Sequence, residues 1–184
     1  MNLSEISTGK KDLKDNVENG KYPFFVRSAN VERINSYSYD GEAVLIPGDG
    51  VNVGKIYHYI IGKFDYHQRV YKISDFNDCV RGKYVYYYLS EKFLRQVKRD
   101  SQKASVDSLR LPTIQKMKIK FPPSLNEQNK IISLLSAIDN KINLLENKYG
   151  QYCDFKRYLM QQIFAQKLRI KCADYQTFVG SNLF

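Results

Sequence analysis

The sequence predicts an α+β protein, with a strand-rich α/β domain at residues 1–121 and one long C-terminal α-helix at residues 122–164. Up to residue 121, short alternating or apolar segments are bounded by Gly, Pro, Asn and Asp, as is typical of β-strands. A double proline, Pro122 and Pro123, then ends the extended pattern. Beyond it, apolar residues recur at spacings of three and four up to residue 164, as is typical of a helix.

Composition predicts the elements of the first domain. Residues 83–98 place apolar side chains at i, i+3 and i+4 and are predicted to form a helix. Most of the remaining segments are rich in β-branched and aromatic residues, which favour strands. We predict strands at residues 22–26, 43–46, 68–73 and 114–121, a strand pair or a bulged strand at residues 51–61, and a turn at residues 62–65.

The long helix has a narrow apolar seam. Ser124 stands three residues before Glu127, which is the spacing of a capping box at a helix start. Apart from Lys156, for which Phe155 beside it can substitute, apolar residues alternate strictly at three and four. Such an alternation is typical of a coiled coil, which requires a second helix; packing of the helix on its own domain is the alternative. Gly150, in mid-helix, costs about 1 kcal/mol relative to alanine. The candidate helix–helix interface residues are Ile131, Leu135, Ile138, Ile142, Leu145, Tyr149, Tyr152, Leu159 and Ile163.

The charge of the chain favours a polyanionic partner. The formal net charge is +10, and residues 55–120 hold fifteen Lys or Arg against six Asp or Glu, together with eight tyrosines. Basic side chains neutralise phosphates, and tyrosine adds contacts through its hydroxyl and ring. This combination favours nucleic acid over an anionic membrane, for which a Trp-, Leu- or Phe-rich amphipathic helix is expected. A merely basic surface without a polyanionic partner is the alternative.

Neither the membrane nor a secretory route is indicated. The sequence has no run of 18 apolar residues, and its N-terminus lacks a basic-then-apolar signal pattern. Its three cysteines are far apart, which is not the pattern of a disulfide framework or a metal cluster. We therefore expect a cytoplasmic protein.

Residues typical of catalysis or cofactor binding are missing. The glycine-rich residues 48–55 fail the phosphate-loop spacing, because Asp49 stands where the first glycine is needed and Ile56 where Ser or Thr should bind magnesium. His58 and His67, the only histidines, have no Cys or carboxylate at metal-ligand spacing. No nucleophile–base pair stands out. We expect no catalytic residue, no metal and no cofactor.

The start of the long helix resembles a characteristic region of the specificity subunits of type I restriction–modification enzymes. The matching features are the double proline, the Glu127–Gln128 pair, the Ile/Leu spacing and the Ile138–Asp139 pair. Upstream, Gly54–Lys55, residues 67–70, the helix at residues 84–94, and the Leu109, Leu111 and Pro112 positions are similar to a target recognition domain of that family. The resemblance covers roughly residues 1–170.

The resemblance implies a subunit that reads DNA and is not itself catalytic. A full specificity subunit has two recognition domains separated by two antiparallel helices, and it recruits two modification subunits that methylate adenine with S-adenosylmethionine; motor–nuclease subunits then join. Here one recognition domain precedes one helix, so we expect a half-subunit or a truncated form with residues 165–184 as a tail or truncated linker. In the half-subunit case two copies pair as a homodimer through an antiparallel coiled coil and read a symmetric bipartite site. The remaining alternative is a basic coiled-coil protein that binds DNA non-specifically or serves as a protein-interaction module.

Candidate DNA contacts follow from side-chain chemistry. Arg, Gln and Asn can make bidentate contacts to guanine or adenine, whereas Lys more often holds phosphates. Residues of these types in or beside predicted loops are the candidates: Arg27, Asn30, Lys55, Lys63, His67, Gln68, Arg69, Lys103 and Arg110.

Overall fold

The computed structural model of the chain describes residues 3–101 and 108–169. A six-stranded mixed sheet is followed by helices, and a short 3-10 turn lies at Leu13–Asp15. The elements, in chain order, are β1 (Glu5–Thr8), β2 (Tyr22–Phe25), β3 (Val31–Ile34), β4 (Tyr39–Pro47), β5 (His58–Tyr66), β6 (Val70–Ser74), α1 (Gly82–Ser101), α2 (Leu111–Gln115) and α3 (Leu125–Phe164).

The sheet is strongly coiled. Its strand order is β1-β6-β4-β5-β2-β3, and every pair is antiparallel except the parallel pair β2–β5. Because β5 and β6 pair with opposite edges of β4 but are joined only by residues 67–69, the end of β5 must curve back towards the start of β6. A 3.0 Å hydrogen bond between the hydroxyls of Ser7 on β1 and Tyr66 on β5 joins these strands, which are not neighbours in the sheet. Gly62 in β5 has φ +122°, which a side chain would strain.

The core lies on both faces of the sheet. Alternation along β4 directs Val44 and Ile46 towards α1, where Leu89 and Phe93 are fully buried. Burying one such side chain contributes about 1.5–3 kcal/mol. The opposite face forms a second cluster that follows the coil of the sheet; its buried members are Phe25, Ala43, Leu45, Phe64, Tyr66 and Val70.

Periodicity located several elements correctly. Strands at residues 22–26 and 43–46 and the helix at residues 83–98 are confirmed by β2, β4 and α1, and β6 (Val70–Ser74) confirms the alternation at residues 68–73 apart from its first two positions. The fold class, a strand-rich domain followed by a long C-terminal helix, is confirmed as well.

Three local predictions were wrong. Residues 62–65 do not turn but lie inside β5, because pairing with β4 continues through Gly62 as far as Phe64. Residues 51–55 form turns rather than a strand, so β5 begins only at His58. Residues 114–121 form no strand: Ile114 belongs to α2, and Met117, Ile119 and Phe121 alternate because they cover the core beside α1.

Helix α3 begins where the capping pattern predicts. The Glu127 backbone N–H lies 3.4 Å from Ser124 Oγ, and the Gln128 backbone N–H donates to the Ser124 carbonyl at 3.1 Å. The helix continues through Gly150, around which there is open space. The chain divides into two compact units, Met1–Leu135 and Ser136–Phe184, so the first turns of α3 belong to the same unit as the sheet. The domain limits 1–121, 122–164 and 165–184 stay a prediction.

One buried glutamine ties the first turn of α3 to the rest of its unit. Gln128 is fully buried. Its Oε1 accepts from the backbone N–H of Arg81 at 2.9 Å, and its Nε2 donates to the carbonyls of Cys79 at 2.9 Å and Pro122 at 2.8 Å. The side chain thus joins α3 both to the segment before α1 and to the double proline.

No helix in the described ranges combines the length and the hydrophobicity that a membrane span requires. Cys79 and Cys153 are free thiols, and Cys172 lies outside the described residues.

Candidate nucleic-acid interface

Four loops of the first unit meet at the ends of the strands. They are residues 26–30, 48–55, 67–69 and 108–110, which we call the loop cluster. Backbone hydrogen bonds hold them together: His67 N–H donates at 2.9 Å to the carbonyl of Phe25, the strand residue directly before the first loop, Gly48 N–H to Arg69 O at 2.8 Å, and Leu109 N–H to Gly48 O at 2.7 Å. The cluster is therefore a connected surface although its residues are distant in sequence.

Two arginines share one carboxylate at the centre of the loop cluster. Arg27 Nη1 donates to Asp49 Oδ1 at 3.0 Å, and Arg69 Nη1 donates to Asp49 Oδ2 at 2.8 Å. The arginine side chains are 48% and 62% exposed, whereas that of Asp49 is 20% exposed. Burial by itself would raise the pKa of Asp49, but the hydrogen bonds and charges of Arg27 and Arg69 outweigh burial and lower that pKa. Asp49 is therefore ionised at neutral pH, and each guanidinium keeps unused donors facing solvent.

The backbone around Arg27 is held by two side chains. Asn52 Nδ2 donates to the Arg27 carbonyl at 2.9 Å. His58 Nε2 lies 3.1 Å from the Ser28 carbonyl, and because burial lowers the pKa of His58, the neutral tautomer with its proton on Nε2 makes this bond. Both contacts restrain residues 26–30 before any ligand arrives.

His67 acts inside the loop cluster rather than on its surface. Its Nδ1 accepts from the Arg69 backbone N–H at 2.9 Å, and its Nε2 lies 3.9 Å from Asp12 Oδ1. Burial, followed by the charge of Arg27, lowers the pKa of His67, although Asp12 acts in the opposite sense. Since Nδ1 accepts a hydrogen bond, we assign the neutral form, which orients the backbone that carries Arg69.

Of the other predicted DNA contacts, some lie on the loop cluster, one lies on a strand outside it, and one falls outside the described residues. Gln68 is exposed and donates from Nε2 to Asp12 Oδ2 at 2.8 Å. Lys63 lies on β5, 4.0 Å from an Asp40 oxygen and 4.8 Å from the Tyr37 ring centroid, and these contacts do not join it to the loop cluster. Lys103 lies outside the described residues. The exposed predicted contacts on the four loops are Arg27, Asn30, Lys55, Gln68, Arg69 and Arg110, whereas His67 is buried.

Sequence reasoning missed three residues of the site, Asp49, Val51 and Asn52. Asp49 and Asn52 were not among the predicted contacts, although both lie in a glycine-rich turn directly after a buried strand. Val51, between them, is 82% exposed at the tip of that turn. Arg27, Asp49, Val51, Asn52 and His67 contribute to the lining of a cavity of about 320 Å³. A turn placed immediately after a buried strand was the available signal.

The tyrosines of the basic segment serve mainly to build the fold. The Tyr71 hydroxyl donates to the Leu109 carbonyl at 3.2 Å, and the Tyr59 hydroxyl donates to Glu42 at 2.6 Å. Further hydroxyls are bonded within the chain as well, those of Tyr57, Tyr66, Tyr84 and Tyr88. The tyrosine content of this segment is therefore explained largely by hydrogen bonds within the fold.

The apolar seam of α3 is largely exposed in the isolated chain. Within α3 only Gln128 is buried. Five seam residues are exposed, up to 72% at Tyr149, and the other four are half-buried. The exposed ones are Ile138, Ile142, Leu145, Tyr149 and Tyr152, and the half-buried ones are Ile131, Leu135, Leu159 and Ile163.

Among the described residues, no group of three or more His, Cys, Asp or Glu is placed to hold a metal ion. The exposed side chains of the loop cluster carry guanidinium, amide and ammonium groups, and the Asp49 carboxylate lies between two of the guanidinium groups.

Comparison with known sequences identifies the family. The family described as type I restriction modification DNA specificity domain matches residues 2–151. The specificity subunit of the type I restriction enzyme EcoDI from Escherichia coli is 29% identical over 136 residues. That alignment covers 74% of this chain but 29% of the E. coli subunit, so the chain spans less than a third of the length of this relative.

Solved structures agree in fold. The type I restriction–modification S subunit from M. genitalium superposes with a TM-score of 0.66 at 16% identity, covering 89% of this chain and 44% of that one. The HsdS subunit from Thermoanaerobacter tengcongensis gives a TM-score of 0.54 at 17% identity, covering 79% of this chain and 37% of that one. With the family match extending over most of its length, this chain belongs to the family of type I restriction–modification DNA specificity domains.

Proposed function

We propose that this chain is a non-catalytic, cytoplasmic DNA-recognition subunit of a type I restriction–modification enzyme, in which the loop cluster reads one half-site of duplex DNA. One observation carries the proposal: in a chain of this family, Arg27 and Arg69 are held side by side with their guanidinium groups exposed.

The residue types in the loop cluster suit the major groove. Arginine makes bidentate contacts to guanine O6 and N7, and Gln or Asn makes them to adenine N6 and N7. Arg27, Arg69, Gln68 and Asn30 supply these groups, and the exposed ammonium group of Lys55 suits a phosphate. The net charge of +10 adds attraction that is independent of sequence.

The partners follow from the same assignment. A recognition subunit has to deliver DNA to a methyltransferase, so we propose modification subunits that methylate adenine as direct partners and motor–nuclease subunits as partners within the larger complex. The similarity to the specificity subunit of a type I restriction enzyme supports this proposal. The alternative is a basic protein that binds DNA non-specifically. It is less favoured, because the match to a family of DNA specificity domains extends over the loop cluster.

Selection from a randomised duplex library tests the function. We expect the full chain, alone or assembled with the modification subunit of its own system, to enrich a defined motif. Its affinity for that motif should exceed its affinity for a scrambled duplex by a factor of about 1,000 or more at physiological salt. Enrichment of no motif, with affinity falling steeply and equally on all duplexes as salt rises, would show a non-specific binder instead.

We propose further that the apolar seam of α3 pairs with a second copy of α3 in an antiparallel coiled coil. The seam is apolar, five of its nine residues are exposed, and its spacing of three and four is broken only at Lys156. A coiled coil buries such a seam against a partner helix. Two copies joined in this way present two loop clusters, as a symmetric bipartite DNA site requires.

Ile142→Lys should therefore convert the dimer into a monomer, because it places a charge in the middle of the apolar seam. Light scattering after size-exclusion chromatography at micromolar concentration measures the mass. Leu144→Lys is the matched control: Leu144 is 59% exposed, against 48% for Ile142, but lies off the seam, so this variant should stay dimeric. A wild-type chain that is monomeric at micromolar concentration contradicts the pairing.

A further inference from the structure

The geometry points to Asp49 as a positioning residue that sets the sequence selectivity of the loop cluster by fixing Arg27 and Arg69 relative to each other. This inference rests on the proposed function and adds a role for an acidic residue, whose charge by itself repels DNA.

The contacts hold the two arginines as a pair. Each oxygen of the Asp49 carboxylate accepts from one arginine, at 3.0 and 2.8 Å. Since both bonds end on the same carboxylate, the two Nη1 atoms cannot lie more than about 8 Å apart. Neighbouring base pairs are stacked about 3.4 Å apart, so this separation suits two adjacent or nearly adjacent bases, or a base and a phosphate.

The backbone on either side of Asp49 is held by contacts with neighbouring loops. The Gly48 backbone N–H donates to the Arg69 carbonyl, the Leu109 N–H donates to the Gly48 carbonyl, and Asp49 forms a β-bridge with Ser108. After Asp49, Asn52 bonds the Arg27 carbonyl and Val53 is buried. The carboxylate is thus placed by the loop backbone, and the longer arginine side chains adapt to it.

A carboxylate between two arginines weakens their attraction to DNA but orders their side chains. It cancels one positive charge, which weakens binding to any phosphate backbone. In return, it restricts the rotamers of two flexible side chains, so less conformational entropy is lost when they meet bases. This balance disfavours binding to arbitrary sequences relative to binding to the target.

Asp49→Asn separates the two effects because it removes the charge and keeps the size. On a scrambled duplex we expect tighter binding, with a plot of log K against log salt that is steeper by about 0.9 because one further positive charge is free. On the selected duplex we expect weaker binding, so the ratio of the two affinities should fall about tenfold. Asp49→Glu keeps a carboxylate for both arginines and should restore most of that ratio.

The controls separate the possible failures. A purely structural role would lower both affinities together, along with the thermal unfolding midpoint, and an Asp49→Asn chain whose affinity ratio equals that of the wild type would equally overturn the inference. If Asp49→Asn does not fold, the inference stands or falls with Asp49→Glu, which must keep most of the affinity ratio of the wild type. A wild-type chain without selectivity would instead overturn the proposed function and this inference with it.

Discussion

Replacing both Arg27 and Arg69 by alanine is expected to weaken binding to the selected duplex by about 300- to 1,000-fold, because each well-placed arginine–base contact contributes roughly 1–3 kcal/mol of discrimination. The single variants should each lose about 10-fold. Arg69→Ala should cost at least as much as Arg27→Ala, since its side chain is the more exposed of the two. Fluorescence anisotropy with labelled duplexes at one fixed salt concentration measures all three variants.

Each single variant should change more than the net charge. Removing one arginine leaves Asp49 paired to the other, so the remaining guanidinium is held by a carboxylate that it no longer shares. Effects of residues that share a partner are not additive, and the cycle formed by the two single variants and the double variant measures this coupling. A coupling of zero would mean that Asp49 does not join the two arginines in the complex.

Arg95→Ala is the matched control for the arginine pair. Arg95 is also exposed and ion-paired, with Glu91 at 3.5 Å, but it lies on α1 outside the loop cluster. Its loss removes the same formal charge, so it should weaken binding to all sequences slightly and leave the recovered motif unchanged. If Arg95→Ala reduced affinity for the selected duplex as much as Arg69→Ala does, net charge rather than the loop cluster would determine binding.

The elements that the sequence predicted well are those specified by local pattern. Helix α1 and helix α3 each carry an apolar periodicity over many residues, and a double proline marks the boundary before α3. Residues 62–65 show where local pattern fails. Gly62 and its neighbours have turn composition, but pairing with β4 keeps them extended. Tertiary pairing overrides local preference at such positions.

The candidate site depended on contacts that no local pattern contains. Asp49 lies 22 residues after Arg27 and 20 before Arg69, and the pairing of β4 with β6 and of β2 with β5 brings the three together. Side-chain type was enough to choose Arg27, Gln68 and Arg69 as candidate DNA contacts, because Arg and Gln in loops suit base edges. It also selected His67, whose burial beneath the surface depends on how two loops meet. The type of a residue is visible in the sequence, whereas its exposure is not.

Gln128→Leu is expected to lower the free energy of unfolding by about 3 kcal/mol, the largest single-residue effect on stability that we predict. The replacement keeps the volume but leaves the Arg81 N–H and the carbonyls of Cys79 and Pro122 without their partner, at about 1 kcal/mol or more for each. Chemical denaturation of the full chain measures the change. Asn129→Ala, at the next and exposed position of α3, should change stability by less than about 0.5 kcal/mol.

Gln128→Glu tests the same hydrogen bonds through pH. A glutamate here would be buried and face two carbonyls, so its pKa in the folded chain must rise above the ordinary value of about 4.3. A raised folded-state pKa means that the stabilising contribution is complete below about 4.3 and is lost as pH rises through the folded-state pKa. The protonated acid can donate to one carbonyl and accept from Arg81, whereas the carboxylate can only accept. The stability deficit relative to wild type should therefore be small near pH 4 and grow towards pH 8; a deficit that is constant over this range would mean that the side chain does not face both carbonyls.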